Sequence, residues 1–303
     1  MERILLGDNQ FFGINHMSEE HARASAIRFQ TDEAIMEVID GAYDLGIKVF
    51  MCTTHERVAG ICDIIRRHPE RYEGFEIYPC MPYAHKYANA VSELGMIEAL
   101  KQFLPQDAPV MAAFRNGIAV AKKDLDVIIK SLIDAEMKIF TGIRTPVIFL
   151  QNVVTDLMLG LGFHQALKTF ADYIREKYRA EPGFITMNLP QLLGALESVG
   201  VTDPIVCSNI NKIGFRMSGG IPAYENSISS GKFRAVAMSV FASGAIPPHE
   251  ALEFVCKQPN VKSIVFGASN IRNIKQTKQL IDTFDQTCDC YQSESKELRY
   301  AKN

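Results

Sequence analysis

Residues 31–52 read TDEAIMEVIDGAYDLGIKVFMC, and their pattern decides the fold. Thr31-Asp32-Glu33 is a helix start, with a side-chain oxygen to accept a bare first-turn N–H and two acids to meet the positive end of the helix dipole. Ile35, Val38, Ile39, Ala42 and Leu45 then recur at helical spacing, and Gly46 follows where a helix end favours a left-handed residue. Lys48 to Cys52 comes directly after as a short apolar run with the composition of a buried strand. The stretch is one helix feeding one strand.

The same pairing recurs along the chain at intervals of roughly 25 to 35 residues. Strands are expected at Ile4 to Leu6, Lys48 to Cys52, Phe75 to Tyr78, Val147 to Leu150, Phe184 to Met187, Ile205 to Cys207, Ala235 to Ser239 and Ser263 to Phe266. Further helices open at Pro247-Pro248-His249-Glu250, with Ala251, Leu252, Phe254 and Val255 facing inward, and after Asn270, with Ile271, Ile274, Leu280 and Ile281. Strands alternating with helices pair in parallel through right-handed crossovers, and eight such units close a barrel. The expected fold class is therefore α/β, a single (β/α)8 TIM barrel spanning 1–303. Its surplus length falls in the 68 residues from Pro79 to Pro146. These predict a helical insertion over about 84–146, best formed at Asp124 to Met137. From about 287 to 303 the chain reads as a loosely held tail.

Composition narrows the partners. Thirty-two Lys and Arg against 35 Asp and Glu give a net charge of −3, with no excess to hold a phosphate backbone or an anionic bilayer. The longest apolar stretch, Ala235 to Ile246, is 12 residues interrupted by Ser239, Ser243 and Gly244, short of the ~20 that a membrane span needs. Met1-Glu2-Arg3-Ile4 lacks the pattern of a signal peptide, so a cytoplasmic location is expected. Seven cysteines, an odd number scattered from Cys52 to Cys290, do not form a disulfide framework.

Barrel chemistry gathers at the C-terminal strand ends. Strand one supplies Asp8, Asn9 and Gln10. Strands two and three supply Cys52, Thr53, Thr54, His55, Glu56 and Arg57, then Cys80, Tyr83, His85 and Lys86. Gln151, Asn152 and Asn188 follow strands four and five. Strand six gives Ser208, Asn209, Asn211 and Lys212, and the last two strands give Ser239, Ser243 and Gly267-Ala268-Ser269-Asn270. Side-chain amides are the commonest type among them. An amide offers donors and an acceptor without charge, which suits a neutral polar small molecule, so Gln10, Gln151, Asn152, Asn209 and Asn211 are candidate substrate contacts. At each position the competing use is capping of the following helix. Gly267, Ala268 and Ser269 let a phosphate approach the backbone N–H groups at a helix start, and Arg272 adds a charge-assisted contact. Tyr83, Lys86 and His55, with Asp8, form the candidate acid-base set. Cys52, His55, Cys80 and His85 are soft ligands without a recognised spacing, and no metal is expected there.

The order of these motifs resembles the aldo-keto reductase superfamily over essentially the whole chain. Leu6-Gly7-Asp8-Asn9-Gln10-Phe11-Phe12-Gly13 is similar to that family's first-strand segment, and Thr31 to Phe50 to its first helix and second strand. Gly183 to Asn188 resembles the fifth-strand segment that ends in Ser-Asn and holds a nicotinamide carboxamide, with only the Asn kept, as Asn188. Ala237 to Gly244, including Ser239, resembles the seventh strand and its loop, and Val265 to Asn270 the phosphate-binding end of the eighth. The resemblance implies an NADP or NAD cofactor held by Asn188, Ser239, Gly267, Ala268, Ser269, Asn270 and Arg272. The family's Asp-Tyr-Lys-His tetrad is absent. Its positions fall on Cys52, on Arg57 or Val58, on Cys80 or Met81, and on Gln151 or Asn152, and Gln276-Thr277 stands where the family has Glu-Asn. Two other classes remain open: a lyase, aldolase or isomerase using Lys86 or Lys212 on a phosphorylated or polyhydroxylated substrate, and a barrel that binds ligand without turning it over.

Overall fold

The computed structural model describes residues 1–13, 18–83 and 122–300. Eight parallel strands close a barrel in chain order: β1 (Ile4–Gly7), β2 (Val49–Thr53), β3 (Glu76–Met81), β4 (Val147–Leu150), β5 (Glu181–Thr186), β6 (Ile205–Asn209), β7 (Arg234–Met238) and β8 (Val261–Phe266). Each sits on or beside one of the eight predicted runs. Most strand residues are buried, which a barrel wrapped by helices requires of a parallel sheet.

By compactness the chain forms two units. The first, Met1–Lys48 with Ser208–Asn303, contains the β7, β8, β1 ladder, in which Ile4 pairs with Ile264 and Leu6 with Phe266. Its helices are α1 (Glu19–Arg28), α2 (Asp32–Asp44), α8 (Gly220–Ser229), α9 (Pro248–Cys256) and α10 (Ile271–Tyr300). Thr31 caps α2 by accepting the Ala34 N–H, and Gly46 takes φ +84° beyond its end. Gly41 of α2 lies so close to Ile271 that a Cβ would collide with its side chain, so this glycine lets α2 lie against the first turn of α10. The residues from about 287, expected as a loose tail, are helical to Tyr300.

The second unit, Val49–Cys207, carries the β2 to β5 ladder with α3 (Arg57–Arg67), α4 (Lys122–Met137), α5 (Asn152–Gly160), α6 (His164–Tyr173) and α7 (Leu189–Ser198). Of the expected insertion, residues 84–121 lie outside the described residues. The stretch Asp124 to Met137, expected to be helical, falls within α4, with Ile129 and Ile133 buried. On α4, Asp134 accepts hydrogen bonds from Tyr173, Tyr178 and Lys177, which fasten it to the end of α6 and the π-helical turn beyond.

Candidate active site

In the first unit, the end of β8 runs straight into α10. Asn270 is the N-cap, its Oδ1 accepting the Asn273 N–H at 2.8 Å. This satisfies one first-turn donor and leaves the Ile271 and Arg272 N–H groups directed along the helix axis beside the small Gly267-Ala268-Ser269 turn. Arg272 is exposed in that first turn. Gln10, after β1, packs on the same turn: its Nε2 donates to the Gly267 carbonyl at 3.2 Å, while its buried Oε1 has no hydrogen-bond donor among the described residues. A buried acceptor without a donor costs about 1–3 kcal/mol, which a bound water or ligand donor would recover. Asp8 is buried beside this turn and its carbonyl accepts the Phe11 N–H.

Asn209 and Asn211 are fully buried, and the chain itself takes the Asn209 nitrogen and both ends of the Asn211 amide. Asn209 donates to the Arg216 carbonyl at 2.8 Å, and Asn211 both donates to the Phe215 carbonyl and accepts its N–H. They fold the loop after β6 back on its own base, with Arg216 held at φ +54°. The loop after β7 is strained as well: Ser239, Ala242 and Ser243 all take left-handed φ, between +47° and +57°. Such conformations cost of order 1 kcal/mol or more apiece in non-glycine residues. Ser239 is half-buried there. Lys212 is exposed and pairs with Glu250 at 2.8 Å.

In the second unit, His55 and Tyr83 come together at the ends of β2 and β3, with ring centroids 5.3 Å apart in an edge-to-face arrangement. Both are half-buried. Burial lowers the His55 pKa, Arg57 pushes the same way and Glu56 opposes. Lys86 and His85, expected beside them, lie outside the described residues. Next to His55, the Thr54 hydroxyl donates to the buried Glu136 carboxylate of α4. Cys52 and Cys80 are buried strand residues, and burial lifts the Cys62 and Cys256 thiols to about 12. Among the described residues no three His, Cys, Asp or Glu side chains form a metal-holding group.

Gln151 and Asn152 begin α5, both half-buried, with the Gln151 N–H donating to the Met81 carbonyl. Asn188 caps α7: its Oδ1 accepts the Gln191 N–H at 3.4 Å and its Nδ2 donates to Gln191 Oε1 at 2.7 Å. One contact beside this cap is not legible in the motifs. Asp156 of α5 accepts the Thr186 hydroxyl at 2.5 Å and the Met187 N–H at 3.0 Å, while Thr186 Oγ1 accepts the Asn188 N–H. Burial raises the Asp156 pKa against these hydrogen bonds. The available signal was a lone acid in the otherwise uncharged Asn152–Gly160 run.

No protein-family model and no curated protein matches the chain. Solved structures do. A Pseudomonas aeruginosa protein assigned to the aldo-keto reductases superposes with a TM-score of 0.59 at 14% identity, covering 93% of this chain and 91% of that one. An aldo-keto reductase from Bacillus halodurans in its holo form gives 0.55 at 9% identity, over 94% and 90%. A protein assigned as a 2,5-diketo-D-gluconic acid reductase B gives 0.52 at 7%, over 93% and 86%. At such identities the likeness establishes the fold: the structural neighbours of this eight-stranded parallel barrel are aldo-keto reductases.

Proposed function

We propose that this chain is an oxidoreductase of the aldo-keto reductase type that binds NADP or NAD and acts on a small polar substrate through a non-standard catalytic end. The observation that carries the reading is the β8 to α10 junction. Its small residues, the first-turn N–H groups and the exposed Arg272 suit an anionic phosphate by close approach, dipole and charge together. The fit differs along the nucleotide. The phosphate end suits the group as it stands, with Gln10 Oε1 adding an acceptor for a ligand hydroxyl or N–H. The Asn188 amide is engaged with Gln191, so a carboxamide there would have to exchange with that side chain.

A bound nicotinamide supplies hydride chemistry. The chain's own task at the β8 to α10 junction is to bind the phosphates at Gly267 to Arg272. Schiff-base chemistry at Lys212 draws no support, because nothing desolvates this exposed, ion-paired side chain. Fluorescence titration with NADPH and NADH tests the reading. Saturable binding, weakened by Arg272→Gln, is expected; no binding of either nucleotide at millimolar concentration overturns it.

A further inference from the structure

α5 is apolar on both sides. Met158 and Leu159 are buried, as is Thr155, whose hydroxyl donates to the Gln151 carbonyl at 3.1 Å. On the other side Val153 is 54% exposed and Leu157 57%, and the turn that follows adds Leu161 at 57% and Phe163 at 48%. Among the described residues nine large apolar side chains are exposed; these four fall within residues 153–163 and the other five stand singly. Single ones are ordinary, but a cluster marks a surface that something covers. A helix apolar all round is stable where it is enclosed all round.

We propose that a second copy of this chain covers this face, α5 packing on α5 about a two-fold axis. Val153, Leu157 and Leu161 lie four residues apart on one helix ridge, so the stripe is symmetric about its middle residue. An axis at Leu157 sets that side chain on its own counterpart and Val153 towards Leu161 of the second copy, the self-complementarity that a two-fold interface requires. Charge agrees. From Asn152 to Phe163 the only charged residue is Asp156, and its carboxylate is bound to Thr186 and Met187 at the end of β5. Two copies therefore meet without like charges facing, and the stripe offers no Lys or Arg to an anionic membrane surface. Gly160 fits the same partner. Gly162, at φ +71°, makes the left-handed turn, whereas Gly160 makes none and a Cβ there would meet nothing within 4 Å among the described residues. Glycine weakens a helix, and a helix crossing ridge on ridge at Leu157 gives this one a use, since it admits the second backbone closely. Four large side chains around a flat glycine make the apolar centre of a standard interface, which covers about 800 Å² on each partner.

Sedimentation velocity of the full-length protein at micromolar concentration tests this. The wild type is expected to sediment as a particle of twice the chain mass. Leu157→Glu places two carboxylates together on the axis and should give the monomer, with an unchanged circular dichroism spectrum because the side chain it replaces is exposed. Gly160→Gln, which leaves every apolar side chain in place, should raise the dimer dissociation constant about tenfold or more, the scale of disturbing the centre of an interface. A dimer that survives both substitutions overturns the proposal, since its interface then lies elsewhere. A wild type that stays monomeric overturns it too. Chemical cross-links from 153–163 to residues 84–121, or flotation of that monomer with phosphatidylcholine vesicles, would then show whether the chain itself or a bilayer covers the face.

Discussion

The amides after β6 and the amide after β1 look alike in sequence and are used differently. Asn209 and Asn211 bond the backbone at Phe215 and Arg216. Gln10 bonds Gly267 through its nitrogen, and its buried oxygen has no donor among the described residues. The chain takes both ends of the Asn211 amide, so Asn211 holds a loop in place. Gln10 belongs to the turn where an anion is expected.

Mutations that separate stability from binding sharpen that contrast. The largest effect is expected from Asn211→Ala, which strips partners from two backbone groups of Phe215 and should cost about 3 kcal/mol in urea unfolding, with NADPH affinity of the folded protein unchanged. Lost affinity at full stability would break the comparison. Arg272→Gln should do the reverse, raising the NADPH dissociation constant about tenfold, or about 1.4 kcal/mol, without moving the melting temperature. Asn188→Ala is expected to remove a helix cap at a cost of about 1 kcal/mol; a larger loss in nucleotide binding than in stability would move Asn188 to the ligand side of the contrast.

Asp156 adds a pH signature at the end of β5. Its folded-state pKa is raised, so the folded protein holds the proton more tightly than the unfolded chain, and this carboxyl's contribution to stability grows as pH falls towards the ordinary carboxylate range. Asp156→Asn should flatten that part of the curve of stability against pH; an unchanged slope would mean that burial does not govern the group. The smallest effect is expected at Gln10→Leu, within about 0.5 kcal/mol in stability, because one hydrogen bond and one unsatisfied acceptor disappear together.

The barrel was legible because helical and strand periods alternate so regularly, and the caps at Thr31 and Asn270 stand where the sequence places them. Strand limits were less so. β3 runs through Pro79 to Met81, past the expected end at Tyr78, and β5 begins at Glu181, ahead of the expected start at Phe184. Gly183 is there because the Phe149 ring of β4 occupies the space of a Cβ, a requirement set by the neighbouring strand. The proposed phosphate end lies in one contiguous segment, Gly267 to Arg272. The roles of Asn209, Asn211 and Asp156 could not be read from the sequence, since they depend on partners that the folded chain brings back from 4 to 31 residues away.

A crystal structure of the protein with NADP shows directly whether the β8 to α10 junction binds a nucleotide phosphate. Phosphate oxygens are expected on the backbone N–H groups of Gly267 to Arg272, with the Arg272 guanidinium turned onto them. NADP bound elsewhere on the barrel, or a bare junction at saturating nucleotide, would contradict that expectation.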